Sequence, residues 1–344
     1  MALDHSRFFF LKVEALDIHH STIPIIFTRL ISNFCAPIFV LLAGISARLV
    51  ENRIGLKQTS LKLITRGFWL ILLEVTLVRF GFGYFKFNYI VFQVIFVIGF
   101  SMILLAGVMY LSKNIILVLS LFIIFSHNML DNLDVSKFSP FYQNLFIVLH
   151  QGGEFEYFNG FILDVWYPLI PWPAVMFIGY YLGEFYVRPD SGRKKIFVIS
   201  GLLCLGLFFV LRGFHLYGDI SDWNANLGFG AAIFGFLNCT KYPPSLHFLL
   251  LTLSVGLLLL GILETIKLKQ TNLFIFFGKC SLVFYVVHLF VLSLTKRFFG
   301  GLVSTDYSSF AMFKVYLIWI ILIAVMYFIC SYYKSFKLSK PLKS

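Results

Sequence analysis

The sequence predicts an all-α polytopic membrane protein, a bundle of about ten transmembrane helices of which the first is truncated. Of the 344 residues, 59% are hydrophobic and 13% are charged, whereas about a quarter of the residues of a soluble domain are charged. The apolar residues come in blocks of about twenty, the length that crosses a bilayer core as a helix. Alternating segments of about ten residues, which indicate a membrane barrel, are not part of the pattern.

The predicted helices follow these apolar blocks in chain order. Residues 1–11 are predicted to be the end of a partial first helix, because a full span needs about twenty residues. The further spans are predicted at about 25–50, 64–83, 89–111, 115–130, 167–183, 196–212, 245–266, 273–295 and 311–333. Three prolines distort the start of the sixth span, because proline removes a backbone donor. We treat 1–344 as one transmembrane domain, with a basic cytoplasmic tail at 334–344.

The positive charges predict the orientation. The formal net charge is +12, and Lys and Arg concentrate in short loops between apolar blocks, which is typical of the cytoplasmic side of a membrane protein and not of nucleic-acid binding. This rule places the segments 5–24, 131–163 and 213–244 outside and the C-terminus in the cytoplasm. We therefore expect a multi-pass protein of the plasma membrane, which in a bacterium is the inner membrane.

The cysteines predict neither disulfides nor a metal site. The five cysteines have no CxxC spacing, and most lie inside apolar blocks, where cysteine behaves as a small hydrophobic residue. No metal is expected.

Polar residues near the N-terminus are the first candidates for chemistry. Asp4 and His5 lie at a helix end near the predicted outer surface, and Arg7 shares a helix face with Asp4. A carboxylate beside an imidazole fixes its tautomer and raises its basicity, as a general base requires. The alternative is an interfacial helix cap.

Two stripes inside apolar spans are further candidates, because polar groups there avoid lipid. Arg29 and Asn33 lie one turn apart, where they would bind an anion or a developing oxyanion, or else hydrogen-bond to other helices. Ser281, Tyr285 and His288 follow i, i+4, i+7 spacing and predict a face that lines a pathway, although a single buried histidine is often structural.

Several segments together resemble a known family. MALDHSRFFF, TRLISNFCAPIFVLLAG, RGFWLILLEVTLVRFG, YPLIPWPAVMFIGYYLG, KYPPSLHFLLLTL and SLVFYVVHLF occur in this order. They are similar to segments of the bacterial relatives of heparan-α-glucosaminide N-acetyltransferase. The resemblance implies transfer of acetyl from cytosolic acetyl-CoA to a sugar on the far side of the membrane.

The resemblance also implies roles for individual residues. Its catalytic candidates are His5 with Asp4, His20 or its neighbour in the first outer loop, and His288. The two polar stripes described above give the substrate-binding candidates, which are Arg29, Asn33, Tyr285 and Ser281. Cations at the cytoplasmic mouth, Arg48, Arg53, Lys57 and Arg66, would bind the phosphates of acetyl-CoA.

The leading hypothesis is therefore a membrane-bound acetyltransferase that acts on an extracytoplasmic sugar or glycan. The rivals are a transporter or lipid-linked-sugar carrier, and an inactive acyltransferase-like protein. A transporter would favour inverted repeats and paired broken helices, and the sequence shows no clear repeat. The expected partners are membrane lipid and a small-molecule or glycan acceptor, with no nucleic acid, and a homodimer is left open.

Overall fold

The computed structural model describes residues 1–11, 23–188, 192–221, 223–224, 226, 228–267, 269, 272–303 and 308–339. Helices dominate these residues. In chain order they are α1 (Ala2–Phe10), α2 (Ile23–Asn33), α3 (Cys35–Ile54), α4 (Leu56–Leu73), α5 (Arg79–Gly81), α6 (Val94–Val108), α7 (Lys113–Ser126), α8 (Pro140–Phe146), α9 (Trp172–Val187), α10 (Arg193–Gly213), α11 (Phe229–Leu237), α12 (Leu246–Leu263), α13 (Leu273–Lys279), α14 (Ser281–Phe298) and α15 (Ser309–Ser339).

A small sheet corrects the all-α prediction. Its strands are β1 (Tyr89–Phe92), β2 (Gly153–Phe158) and β3 (Phe161–Val165), with β3 in the centre, parallel to β1 and antiparallel to β2. Asn159 and Gly160 have positive φ angles, the backbone conformation that a tight hairpin turn needs. The strands lie in the predicted loop 131–163 and at the start of the predicted fourth span, where aromatic residues favour strands.

The prediction of about ten spans is also wrong for the described residues. Among them, six helical stretches are long and apolar enough to cross a membrane. They are Ile23–Ile54, Lys113–Asn132, Arg193–Gly213, Leu246–Leu263, Ser281–Phe298 and Ser309–Phe336. The other apolar blocks are shorter or broken as helices: α6 begins only after β1, the prolines delay the start of α9 to Trp172, and a π-helical turn at Glu74–Val78 follows α4.

The first candidate span contains a break that proline explains. Pro37 has no amide N–H to donate to the carbonyl of Asn33, four residues earlier, so the helical ladder is interrupted there. The structure accordingly ends α2 at Asn33 and begins α3 at Cys35.

The chain divides into two compact units. The first unit contains 1–32, 77–85 and 267–344, and within it α1 and α5 pack on α14 while α15 packs on both α1 and α14. The second unit contains 33–76 and 86–266. The single domain over 1–344 stays a prediction.

Close helix crossings build the second unit. The main pairs are α3 with α9, α10 with α12, and α4 with α6. At the α3–α9 crossing, a Cβ added to Gly44 would lie 2.0 Å from the Met176 carbonyl oxygen, and one added to Gly179 would lie 2.1 Å from that of Leu41. Small residues permit this backbone contact, as is typical of helix pairs in membranes.

Candidate functional site

Two histidines that are distant in sequence meet in the first unit. The His5 Nδ1 and His288 Nε2 atoms are 2.7 Å apart. The two rings are nearly parallel, with an interplanar angle of 5° and centroids 5.0 Å apart. His5 lies on α1, partly buried, and His288 lies fully buried on α14. We call His5 and His288 the histidine pair.

The backbone fixes the tautomer of this pair. The other ring nitrogen of His288, Nδ1, is 2.8 Å from the Phe284 carbonyl oxygen. A carbonyl can only accept, so Nδ1 must carry the proton. In a neutral His288 ring, Nε2 then carries a lone pair and accepts the Nδ1–H of His5. Neutral His5 therefore carries its basic lone pair on its other ring nitrogen, Nε2.

Aromatic side chains surround the histidine pair. The Phe82 ring meets His5 edge-on at a centroid distance of 5.2 Å. The buried ring of Tyr285 lies 6.1 Å from that of His5 and 5.9 Å from that of His288. These ring contacts restrict the orientations that the two imidazoles can adopt.

Asp4 contacts Arg7 in the structure. The Arg7 guanidinium donates to Asp4 Oδ1 from Nη2 at 2.8 Å and from Nε at 3.3 Å. The predicted role of Asp4 in orienting His5 stays a prediction. The structure shows a hydrogen bond from His5 to His288. His20, the catalytic candidate of the first loop, lies outside the described residues.

The remaining substrate-binding candidates lie in different environments. Ser281 is exposed at the first position of α14, whereas Tyr285, one turn further on, is buried beside the histidine pair. Arg29 is partly buried and Asn33 is buried on α2. The structure thus brings Tyr285 together with His5 and His288, and the roles of the other three stay predictions.

The predicted phosphate-binding cations divide into two kinds. Arg48 on α3 is held by Glu184 of α9, with Nε 2.7 Å from the carboxylate, and its Nη1 lies 3.5 Å from Glu51. Tyr180 donates to Glu51 and accepts from Lys113. We call Arg48, Glu51, Lys113, Tyr180 and Glu184 the charged cluster. The other predicted cations are exposed: Arg53, Lys57 and Arg66.

One carboxylate–imidazole contact was not singled out from the sequence. His150 Nε2 lies 2.7 Å from Asp131 Oδ1, and the side chain of Asn128 donates to the second oxygen of Asp131 at 2.7 Å. These residues lie in or next to the long segment after α7 that was predicted to be a loop. Sequence spacing in a loop does not indicate which side chains share a face. Only the tertiary contact reveals this group.

Cys239 does not supply a nucleophile. It lies between α11 and α12, and burial raises the pKa of its thiol to about 12. The thiol is therefore protonated at neutral pH, and the thiolate is the form that attacks a thioester. No group of three or more His, Cys, Asp or Glu with metal-binding geometry occurs among the described residues.

The described residues form a helical membrane protein in which two histidines from distant parts of the chain are hydrogen-bonded to each other. A sequence model of the family "Heparan-alpha-glucosaminide N-acetyltransferase, catalytic" matches residues 1–206. The chain belongs to this family, which confirms the resemblance seen in its motifs. The matched range includes His5 and α2 to α9 and ends within α10. Comparisons with curated proteins and with solved structures gave no match.

Proposed function

We propose that the protein is a transmembrane acetyltransferase that moves acetyl from acetyl-CoA to an amine or hydroxyl of an extracytoplasmic sugar. Family membership supports the class of reaction. The observation that carries the proposal is the 2.7 Å contact between His5 Nδ1 and His288 Nε2. It gives His5 a defined tautomer with the basic nitrogen at Nε2.

The chemistry of this arrangement is general-base catalysis. His5 Nε2 removes a proton from the acceptor as its nitrogen or oxygen attacks the thioester carbonyl carbon. The C–S bond then breaks, the new C–N or C–O bond remains, and the proton on His5 passes to the leaving thiolate. His5 becomes an imidazolium during the reaction, and His288 Nε2, already accepting from Nδ1–H, stabilises that charge. The alternative is that His5 first carries the acetyl group covalently.

The donor and the membrane orientation are separate parts of the proposal. Acetyl-CoA carries phosphates, which cationic side chains bind. Arg53, Lys57 and Arg66 suit this role because they are exposed. Arg48 is partly neutralised by Glu184 and Glu51, so it contributes less to phosphate binding.

The positive loops favour a cytoplasmic C-terminus and an outer first loop in the plasma membrane. Lipid and a glycan acceptor are the proposed partners.

The direct test measures labelled acetyl transfer from acetyl-CoA to an amino-sugar acceptor by purified protein in nanodiscs. We expect His5→Gln to lower kcat about 10²- to 10⁴-fold, the range that one general base contributes. Ser6→Ala is the matched control: Ser6 neighbours His5 on α1, but its hydroxyl donates to the Ala2 carbonyl at 3.0 Å. It should retain activity. Equal rates for His5→Gln and wild type would remove His5 from the mechanism.

Acetyl-CoA binding separates this proposal from its rivals. Stoichiometric binding with acetyl transfer supports the enzyme. Binding without transfer to any sugar supports the inactive relative. Sugar flux across a sealed vesicle without dependence on acetyl-CoA would support the transporter.

A further inference from the structure

The short helix α8 has an exposed surface that does not suit a segment in water. Its exposed residues are all apolar or aromatic: Pro140, Phe141, Tyr142 and Leu145. The ring of Phe141 is the most open, because that residue is 67% exposed. The polar residues Gln143 and Asn144 are instead partly buried, and Gln143 Nε2 donates to the Phe138 carbonyl oxygen at 2.9 Å. A helix on a water-facing surface has the opposite arrangement, with its polar residues outermost.

The segment that contains α8 leaves the second unit and returns to it at fixed points. It begins where the candidate span Lys113–Asn132 ends. Asp131 Oδ1 lies 2.7 Å from His150 Nε2, which joins the two ends of the segment. On its return, the Leu149 carbonyl oxygen accepts from the backbone N–H of Ile170 at 2.8 Å. We call residues 132–149 the boundary segment, because the end of the span sets the level at which they lie.

The exposed apolar surface of α7 continues into the boundary segment. An exposed row follows i, i+4, i+7, i+11 spacing along the span, which places its members on one helix face. They are Val118, Phe122, Phe125 and Met129. A row of this kind on a membrane span faces lipid. Leu133 and Phe138, which are also exposed, extend the apolar surface along the chain from this row to α8.

We propose that α8 lies in the lipid headgroup layer at the Asn132 end of α7, with Phe141, Tyr142 and Leu145 directed towards the acyl chains. Aromatic side chains are typical of this layer, and tyrosine suits it because its ring is apolar and its hydroxyl is polar. The partner is the phospholipid surface of the bilayer that the protein spans. The boundary segment is then part of the membrane surface and not a loop in bulk water.

The charges of the boundary segment agree with this level. Lys137 Nζ lies 3.0 Å from Asp134 Oδ2, and the two side chains are 79% and 55% exposed. An exposed ion pair needs water or polar headgroups around it, so the segment lies at the boundary and not in the hydrocarbon. The proposal does not rest on acetyl transfer, because none of these residues belongs to the histidine pair.

A second copy of the chain fits this surface less well than lipid. α8 has seven residues and is about 10 Å long at about 1.5 Å per residue. Each partner of a stable protein interface buries about 800 Å², which one face of so short a helix does not supply. A lipid surface needs no such area, because it is continuous with the lipid around α7.

Photocrosslinking in proteoliposomes of phosphatidylcholine identifies what covers α8. Phe141→p-benzoylphenylalanine places a photoreactive ketone on an exposed aromatic position, and irradiation joins it to a neighbouring C–H bond. We expect intact-mass spectrometry to show a product heavier by the mass of one phospholipid. Phe122→p-benzoylphenylalanine, on the exposed row of α7, is the positive control. Lys137→p-benzoylphenylalanine, in the same segment, should give a several-fold lower yield of this product than Phe141.

A second position keeps the test independent of one variant's folding. Tyr142→p-benzoylphenylalanine should also give the lipid product, and a Tm equal to that of wild type shows that each variant is folded. Lipid products at Phe122 but at neither Phe141 nor Tyr142 would place α8 in water and overturn the proposal. Equal yields at Lys137 and Phe141 would show that α8 has no lipid-facing side. A crosslinked dimer would mean that a second copy covers this surface instead of lipid.

Discussion

The histidine pair and the charged cluster are both polar groups that are at least partly buried between helices, yet they are built differently. In the charged cluster, Arg48 and Lys113 face the carboxylates of Glu51 and Glu184 within 4 Å. In the histidine pair, one hydrogen bond of 2.7 Å joins two imidazole rings. A set of ion pairs with balanced charges holds helices in place, and each group in it is stabilised in its charged form. A neutral pair can gain a proton at one nitrogen and return it, which is what acyl transfer requires.

Within this comparison, the largest effect is expected from a variant that breaks the histidine pair at His288, the member that does not contact substrate in the proposed reaction. His288→Phe keeps an aromatic ring on α14 but removes the acceptor of His5 Nδ1–H, so the imidazolium formed during transfer loses its support. We expect kcat to fall about 10²-fold, the lower end of what a proton-transfer group contributes, with little change in KM for acetyl-CoA.

If His288 had only a structural role, kcat of His288→Phe would follow the same pH profile as kcat of wild type. Loss of the hydrogen bond instead frees the His5 ring to adopt either tautomer, so kcat should also follow a different pH profile from that of wild type. Wild-type kcat and an unchanged profile would contradict the role of His288 as the positioning residue.

The next effect concerns stability and shows what holds α3 against α9. Gly44→Ala places a methyl group 2.0 Å from the Met176 carbonyl oxygen, a backbone atom that cannot move aside alone. We expect a loss of about 1–3 kcal/mol or more in unfolding free energy, measured by thermal unfolding in detergent. Gly206→Ala on α10 is the control, because nothing lies within 4 Å of its added Cβ. If Gly44→Ala left the free energy of unfolding unchanged, α3 and α9 would not be in contact at this point.

The sequence predicted most of the helices but not where they break. Blocks of about twenty apolar residues predict helices because lipid requires the backbone to be satisfied internally. The same blocks do not reveal that α13 ends before Cys280 and α14 begins after it, or that β1 precedes α6. These boundaries depend on tertiary contacts, such as the pairing of β1 with β3, which are remote in sequence.

The candidate site was predictable residue by residue but not as a pair. The MALDH segment pointed to His5, and the helical spacing with Tyr285 pointed to His288. Their contact spans 283 positions of the chain, so no local pattern could show it. Arg48 illustrates the opposite case: its position next to a basic loop favoured phosphate binding, and only the fold reveals its bond to Glu184.

A smaller stability effect tests whether the charged cluster is structural. Arg48→Met leaves Glu184 without its closest cation across the helix interface. The pair is partly shielded, with side chains 13% and 17% exposed, so we expect a loss of about 1–3 kcal/mol, between the values for exposed and fully buried pairs. The double variant Arg48→Met with Glu184→Leu should recover part of this loss. An additive result would mean that the two side chains do not interact.

The smallest effect separates exposed cations from the charged cluster. Arg53→Met removes an exposed charge at the end of α3 that the proposed function assigns to acetyl-CoA phosphates. We expect KM for acetyl-CoA to rise about two- to threefold at low salt and the difference to shrink at high salt, because salt screens exposed charges. Tm should not change, in contrast to Arg48→Met. The opposite outcome is an unchanged KM for Arg53→Met at low salt, together with a raised KM and unchanged stability for Arg48→Met. It would mean that Arg48 of the charged cluster, and not Arg53, binds the phosphates.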